Sequence, residues 1–230
     1  MADDVREAEP AGLAGELRTP RAAAIAGILF ALMLGTVIVM MSWAIPADPA
    51  HRGAWITNAS SRSSVAIAMN LIPFAGIAFL WFIGVIRNRL GDHEDKFFAT
   101  VFLGSGLLLV GILFTAAAVM GSALFIYSES PNTSRDTLRF ALVLASTLLI
   151  TFGARMAAVF TLSVTTVGLR TGLVPRWLSV IGVVCAVALV LTPPAPKLTQ
   201  MAFPLWVLIL SLHILVVSMR PPARGAGDER

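Results

Sequence analysis

Six long apolar segments fill most of this 230-residue chain, and Arg155, in the fourth, is the only charged side chain that lies away from the ends of a segment. A helix needs about 20 apolar residues to cross a hydrocarbon core about 30 Å thick. Only helices and closed barrels satisfy their backbone groups inside a membrane. The segments therefore predict an all-α polytopic membrane protein, a bundle of six transmembrane helices. They comprise residues 22–45, 65–86, 97–127, 138–167, 177–192 and 201–219.

The composition leaves room for one membrane domain and two short tails. Charged residues make up 13% of the chain, against about 25% in a typical soluble domain. Residues 1–20 are polar and rich in acids, which predicts a mobile tail. Residues 21–220 hold the six-helix domain, and residues 221–230 form the second tail.

The basic residues predict which side of the membrane each loop faces. Eleven Lys and Arg residues flank the spans on the side of the two termini, and five flank them on the other side. Because Lys and Arg accumulate in cytoplasmic loops, both termini are expected in the cytoplasm. Trp43 and Trp55 are then expected at the outer interface, and Trp81 and Trp177 at the inner one.

Arg155 is the most informative side chain for function. A charged group at membrane depth is costly and usually faces protein, water or a lipid head group. It shares a helix stripe with Thr147 and Thr151, and no span contains Asp or Glu. Two hypotheses remain open. Arg155 is a structural clamp that holds an acid of residues 92–95 or a lipid phosphate, or it belongs to a site for an anion or lipid head group.

His213, in the inner half of the sixth span, is a further candidate for a lipid or anion contact. A proton relay would need embedded acidic partners, and the spans contain none. Hydrogen-bonded packing between helices is therefore the simpler interpretation of this side chain.

Small and polar residues form a stripe on the third span and another on the fourth. At about 100° of rotation per residue, each set lies on one helix face. Consecutive helices with such faces are expected to pack together, either in a dry interface or around a polar cavity that reaches Arg155. The stripes are Gly104, Gly111, Thr115, Ala118 and Ser122, and Thr147, Thr151, Ala154, Arg155, Ala158, Thr161 and Thr165.

The first span carries a ridge of small residues spaced four apart: Ala23, Gly27, Ala31 and Gly35. Such a ridge lets another backbone approach closely. The approaching helix belongs either to the same bundle or to another subunit. A bulky residue at Gly27 or Gly35 is expected to disturb this packing.

Nothing in the sequence indicates catalysis, a metal or a cofactor. The chain has no HExxH pair, no P-loop and no dinucleotide-binding fingerprint. Cys185, the only cysteine, lies in an apolar span, where it is expected to act as a small hydrophobe. The basic residues flank helices rather than form a run with aromatics, so nucleic-acid binding is not expected.

Two stretches resemble known membrane proteins. FLWFIGVIRNRLG (79–91) and EDKFFATVFLGSG (94–106) resemble a group of uncharacterised actinobacterial multi-span membrane proteins, and the likeness covers most of residues 20–220. TGLVPRWL (171–178) is similar to the Gly-x-x-Pro-Arg-x-Leu-Gly entry to a late helix in DUF4386-type proteins, with Ser179 in place of the final Gly. The resemblance implies the six-helix fold, and it brings no catalytic residues.

The sequence thus favours a non-enzymatic accessory or scaffold protein that packs against other membrane proteins, against a second copy of itself or against lipids. The alternative is a small transporter or channel for an anionic or amphipathic solute, with Arg155 as its counter-charge. Arginine far outnumbers lysine, and Ala, Val and Gly are abundant. This composition suggests a bacterium with a GC-rich genome, and so the bacterial inner membrane.

The predicted orientation can be tested with reporter fusions. A reporter joined after Arg230 is expected to report the cytoplasmic side, and one inserted at Asn58 the outer side, because of the distribution of basic residues. Enzymatic reporters active on only one side of the membrane measure this. An external position for Arg230 would reverse the orientation of every span.

Overall fold

The computed structural model describes residues 19–45, 54–90, 96–130, 133–172, 174–191 and 197–219. Helices account for nearly all of these residues, and none of them lies in a β-strand. The predicted all-α membrane class is confirmed. The two predicted tails lie almost wholly outside the described residues, as do the acids of residues 92–95.

Seven α-helices and two short turns make up the described fold. A π-helical turn, Leu148–Gly153, joins α4 to α5, so that these two helices form one rod across the fourth span. A 3-10 turn, Ala54–Ile56, precedes α2. The helices are α1 Thr19–Ala44, α2 Ala59–Leu90, α3 Lys96–Glu129, α4 Arg135–Thr147, α5 Ala154–Thr171, α6 Arg176–Leu191 and α7 Lys197–Met219.

Local capping groups set the helix ends. The side-chain oxygen of Asn58 accepts hydrogen bonds from the backbone N–H groups of Ser60 and Ser61, at 2.9 and 3.3 Å. Since this cap satisfies otherwise unpaired N–H groups, α2 begins before the apolar run starts at Val65. Gly172, in the left-handed conformation with φ of 70°, ends α5.

α1 lies between α2 and α7 and runs antiparallel to both. Gly27 lies against Phe82 of α2 and Ser211 of α7. Three residues later, the Phe30 ring lies 4.3 Å from that of Phe79 and 5.9 Å from that of Phe203. As the residue number rises along α1, the residues of α2 and α7 in contact with it have falling numbers. The start of α1 and the end of α7 therefore lie on the same side of the bundle.

The small-residue ridge of α1 faces two different environments. Ala23, Gly27 and Ala31 are buried inside the bundle. Gly35 is only half-buried, and a Cβ atom there would meet no other atom within 4 Å. The first three ridge residues therefore pack within this chain, while Gly35 borders an open groove between α1 and α7.

Five spans are long and apolar enough to cross a membrane: α1, α2, α3, the α4–α5 rod and α7. α6 is apolar but has only 16 residues. Its contacts nevertheless follow the length of α7, from Trp177 beside His213 to Gly182 beside Trp206. The chain is therefore a multi-pass membrane protein in which α6 is a short sixth helix of the bundle.

A pair of substitutions tests the packing around Gly27. Gly27→Ala is expected to lower the free energy of unfolding by about 1–3 kcal/mol, because overpacking a full core costs this much. The new Cβ would lie 2.7 Å from the Phe82 ring and would also collide with Ser211. Gly35→Ala is the matched control on the same ridge and is expected to be neutral. Thermal unfolding in detergent measures both, and equal losses would contradict this account.

Candidate functional site

A cavity of about 230 Å³ lies inside the half of the bundle remote from the chain termini. Its walls come from the end of α1, the start of α2, the middle of α3, the α4–α5 rod, the end of α6 and the start of α7. Apart from Ser146, Thr199 and Gln200, the lining side chains are apolar. By the predicted orientation, this half of the bundle faces the outside.

A layer of phenylalanine side chains closes the cavity on the side of the termini. Phe203 lines the cavity, and its ring lies 5.9 Å from Phe79 and 6.1 Å from Phe160. Every ring in the layer is buried. Aromatic pairs at these distances stabilise a core by about 0.5–1.5 kcal/mol beyond their buried area. The layer consists of Phe30, Phe79, Phe82, Phe102, Phe160 and Phe203.

The 3-10 turn before α2 belongs to the apolar cluster at the opposite end of the cavity. Trp55 is only 2% exposed and belongs to a second apolar cluster that includes Met120 and Leu142 of the cavity wall. Arg62 Nη1 donates a hydrogen bond to the carbonyl of Ile56 at 2.8 Å. The Arg62 guanidinium also lies 5.5 Å from the centre of the Tyr127 ring. Arg62 therefore fixes the turn that carries Trp55, and we interpret Trp55 as a cap over this end of the cavity.

The remaining side of the cavity opens between α4 and α7. α4 packs on α3, and α7 packs on α1 and α6, but α4 and α7 have no extensive contact in the described part of the chain. The three polar lining residues stand on these two helices: Ser146 on α4, and Thr199 and Gln200 on α7. The cavity thus has an apolar interior, and its polar lining residues lie on the two helices that do not pack closely together.

Arg155 lies on the outward face of the fourth span and does not line the cavity. Its Nη1 donates a hydrogen bond to the carbonyl of Thr151, in the π turn, at 2.5 Å. The guanidinium therefore points toward the half of the bundle remote from the termini, and away from the end where the second loop begins. Whether Arg155 also contacts residues 92–95 stays a prediction, because they lie outside the described residues.

The two predicted stripes do not form one interface. On α3, Gly111, Thr115, Ala118 and Ser122 are exposed, because this helix buries its leucine, alanine and methionine face instead. On the fourth span, Thr147 is exposed, whereas Thr161 and Thr165 are buried. The π turn explains this change, since its extra residue shifts the phase of the following helix relative to a continuous 100° repeat.

His213 is half-buried and meets another helix rather than Arg155. Its ring packs edge-on against Trp177 of α6, with ring centres 6.3 Å apart. The contact lies near the end of the bundle that carries the termini. His213, Thr147, Thr151 and Arg155 are therefore not brought together into one site.

Three buried polar atoms have no hydrogen-bond partner among the described residues: Thr165 Oγ1, Trp206 Nε1 and Ser211 Oγ. Thr165 and Trp206 both lie against Gly182, where a Cβ atom would lie 2.8 Å from Trp206 Nε1. Ser211 lies against Gly27 in the same way. These unpaired groups thus occur where a glycine lets helices approach most closely.

Within the described ranges, no group of three His, Cys, Asp or Glu side chains could hold a metal ion. Among the described residues, none that lines the cavity has a titratable side chain. General acid–base catalysis needs such a group in contact with the reacting atoms.

The cavity, the cap and the π turn were not predicted from the sequence. The cavity walls come from helices that are far apart in the sequence, so no local pattern reveals them. Trp55 was interpreted as an interface marker, although it is buried, whereas Trp43, Trp81 and Trp177 are exposed. A signal was present for the cap: Asn58, Arg62 and Trp55 lie within one short segment that has its own capping residue.

Comparison with known proteins gives no relative for this chain: no protein-family model, no curated protein and no solved structure matches it. Functional assignment therefore depends on the cavity and on the residues around it.

The cap can be tested by cysteine accessibility in lipid nanodiscs. In a Cys185→Ser background, a cysteine replacing Ala145 in the cavity wall is expected to react slowly with a charged, water-soluble thiol reagent. Trp55→Ala should speed this reaction, because it removes the side chain that covers the cavity. A cysteine replacing the exposed Ser63 is the control and should react quickly in both backgrounds. Equally fast labelling at both positions with Trp55 present would show that the cap does not seal the cavity.

Proposed function

We propose that this chain is a non-enzymatic accessory protein of the bacterial plasma membrane that binds the apolar part of an amphipathic lipid. The observation that carries the proposal is the apolar cavity, which has a phenylalanine floor, a Trp55 cap and a side opening between α4 and α7. An occupant enters such a cavity from the bilayer rather than from water.

The volume of the cavity supports an acyl chain as occupant. An apolar cavity of about 150 Å³ in an engineered soluble protein stays dry and binds benzene. This cavity, at about 230 Å³, is larger, yet it is smaller than the roughly 300–1,000 Å³ of pockets that enclose a whole drug-sized ligand. It therefore accommodates one segment of a chain, and the rest of the molecule remains outside the opening.

The polar rim supports an amphipathic occupant. The side chains of Thr199 and Gln200 lie at the start of α7, where ester or hydroxyl groups of a lipid would follow its acyl chain. Ser146 donates its own hydroxyl hydrogen to the Val143 carbonyl at 2.8 Å, so it acts toward a ligand as an acceptor. The rim is uncharged and suits neutral polar groups.

The transport alternative has less support from this geometry. A solute path would have to continue through the phenylalanine layer, whose rings are fully packed. Arg155 would also have to face the solute as its counter-charge, but it lies on the outward face of the rod. Binding without passage therefore fits the cavity better than conduction does.

Filling the cavity tests the proposal. Ala145→Leu and Ala117→Leu place extra volume in the cavity wall and are expected to reduce several-fold the phospholipid retained after gentle detergent extraction. Ala118→Leu adds the same three carbons on the exposed face of α3 and is the matched control. Native mass spectrometry counts the bound lipids. The proposal fails if the filled variants fold and retain as much lipid as wild type and the control.

A further inference from the structure

Arg155 lies near the middle of the α4–α5 rod, about equally far from the arginines near its two ends. At 1.5 Å per residue, it is about 24 Å along the rod from Arg139 and about 22 Å from Arg170. These two arginines flank the apolar stretch of the fourth span. The core is about 30 Å thick, so a rod centred in it would hold Arg155 about 15 Å from each interface, farther than its side chain extends.

The environment of Arg155 leaves most of its hydrogen-bonding capacity unused. A guanidinium carries five N–H donors, and one of them is donated to the Thr151 carbonyl. The side chain is exposed on a face that it shares with Phe152 and Leu162, which are also exposed. In hydrocarbon, this arrangement requires an acceptor that the described residues do not supply.

A second copy of this chain does not supply that acceptor. The sequence has no Asp or Glu between residues 96 and 128 or between residues 137 and 227, and none in the first two apolar spans. Glu129 and Asp136 lie at helix ends, far from the depth of Arg155. A symmetric dimer through this face would instead bring two Arg155 side chains together.

We propose that Arg155 is the docking point for a different membrane protein, one that carries an aspartate or glutamate in the middle of a transmembrane helix. Charge complementarity defines the partner: a planar guanidinium and a carboxylate form paired hydrogen bonds. The flanking Phe152 and Leu162 provide the apolar contact around the ion pair. The observation is independent of the cavity, because the docking face points away from it.

The probe for this proposal is a synthetic leucine-rich transmembrane peptide with one central glutamate, reconstituted with the full chain in phosphatidylcholine vesicles. Energy transfer from the labelled protein to the labelled peptide measures association. The glutamate peptide is expected to associate severalfold more strongly than peptides with glutamine or leucine at the same position. Arg155→Leu should abolish this preference, and Arg155→Lys should retain part of it because the charge remains without the planar fork.

Arg139→Leu, on the exposed face near the end of the same rod, is the control and should leave the preference unchanged. If Arg155→Leu does not fold, Arg155→Gln serves as the uncharged variant. Equal association of the three peptides with wild type overturns the proposal. A second result also overturns the proposal. If added phosphatidylglycerol removes the preference for the glutamate peptide, and the uncharged variant binds less phosphatidylglycerol than wild type, a lipid phosphate is the partner of Arg155.

Discussion

The fold depends on the close approach of α1 to α2 and α7 at Gly27. Inside a membrane, lipid is as apolar as the helix surfaces, so helices associate through close packing rather than through the exclusion of water. Gly27 permits contact with Phe82 and Ser211 at the same point. Because the backbones are this near, the Phe30 and Phe79 rings stack one turn further along. Gly27 thus allows the close approach of α1 and α2, the helices that carry Phe30, Phe79 and Phe82 of the phenylalanine layer.

The cavity exists because the fourth span does not close onto α1. The α4–α5 rod packs on α3, and α5 packs on α6, while the α4 half stays apart from α7. The π turn lies where these two halves meet. It places Leu149, Ile150 and Gly153 in the cavity wall and leaves Arg155 on the outward face. π turns inside α-helices occur frequently at functional sites, and here one turn shapes both unusual features of the molecule.

The class of fold could be predicted from the sequence because length and hydrophobicity alone decide whether a helix can cross a bilayer. Details that depend on contacts between distant segments could not be predicted in this way. Gly27 and Gly35 have equivalent positions in the ridge, yet only Gly27 meets a neighbouring helix closely. The fourth-span stripe assumed a constant rotation per residue, and the π turn breaks that assumption. Trp55 fits the pattern of an interface tryptophan, but the short turn before α2 brings it over the cavity.

The cavity and Arg155 lie on different faces, but the π turn connects them. The side chain of Ile150 lines the cavity, and the carbonyl of the next residue, Thr151, accepts the hydrogen bond from Arg155. Conversion of this turn to regular α-helix would remove one residue from the repeat and rotate the following helix by about 100° relative to α4. That rotation would change the cavity wall and the direction of Arg155 together. An occupant in contact with Ile150 and a partner bound to Arg155 would therefore act on the same hydrogen-bonded turn, which lies between the two surfaces.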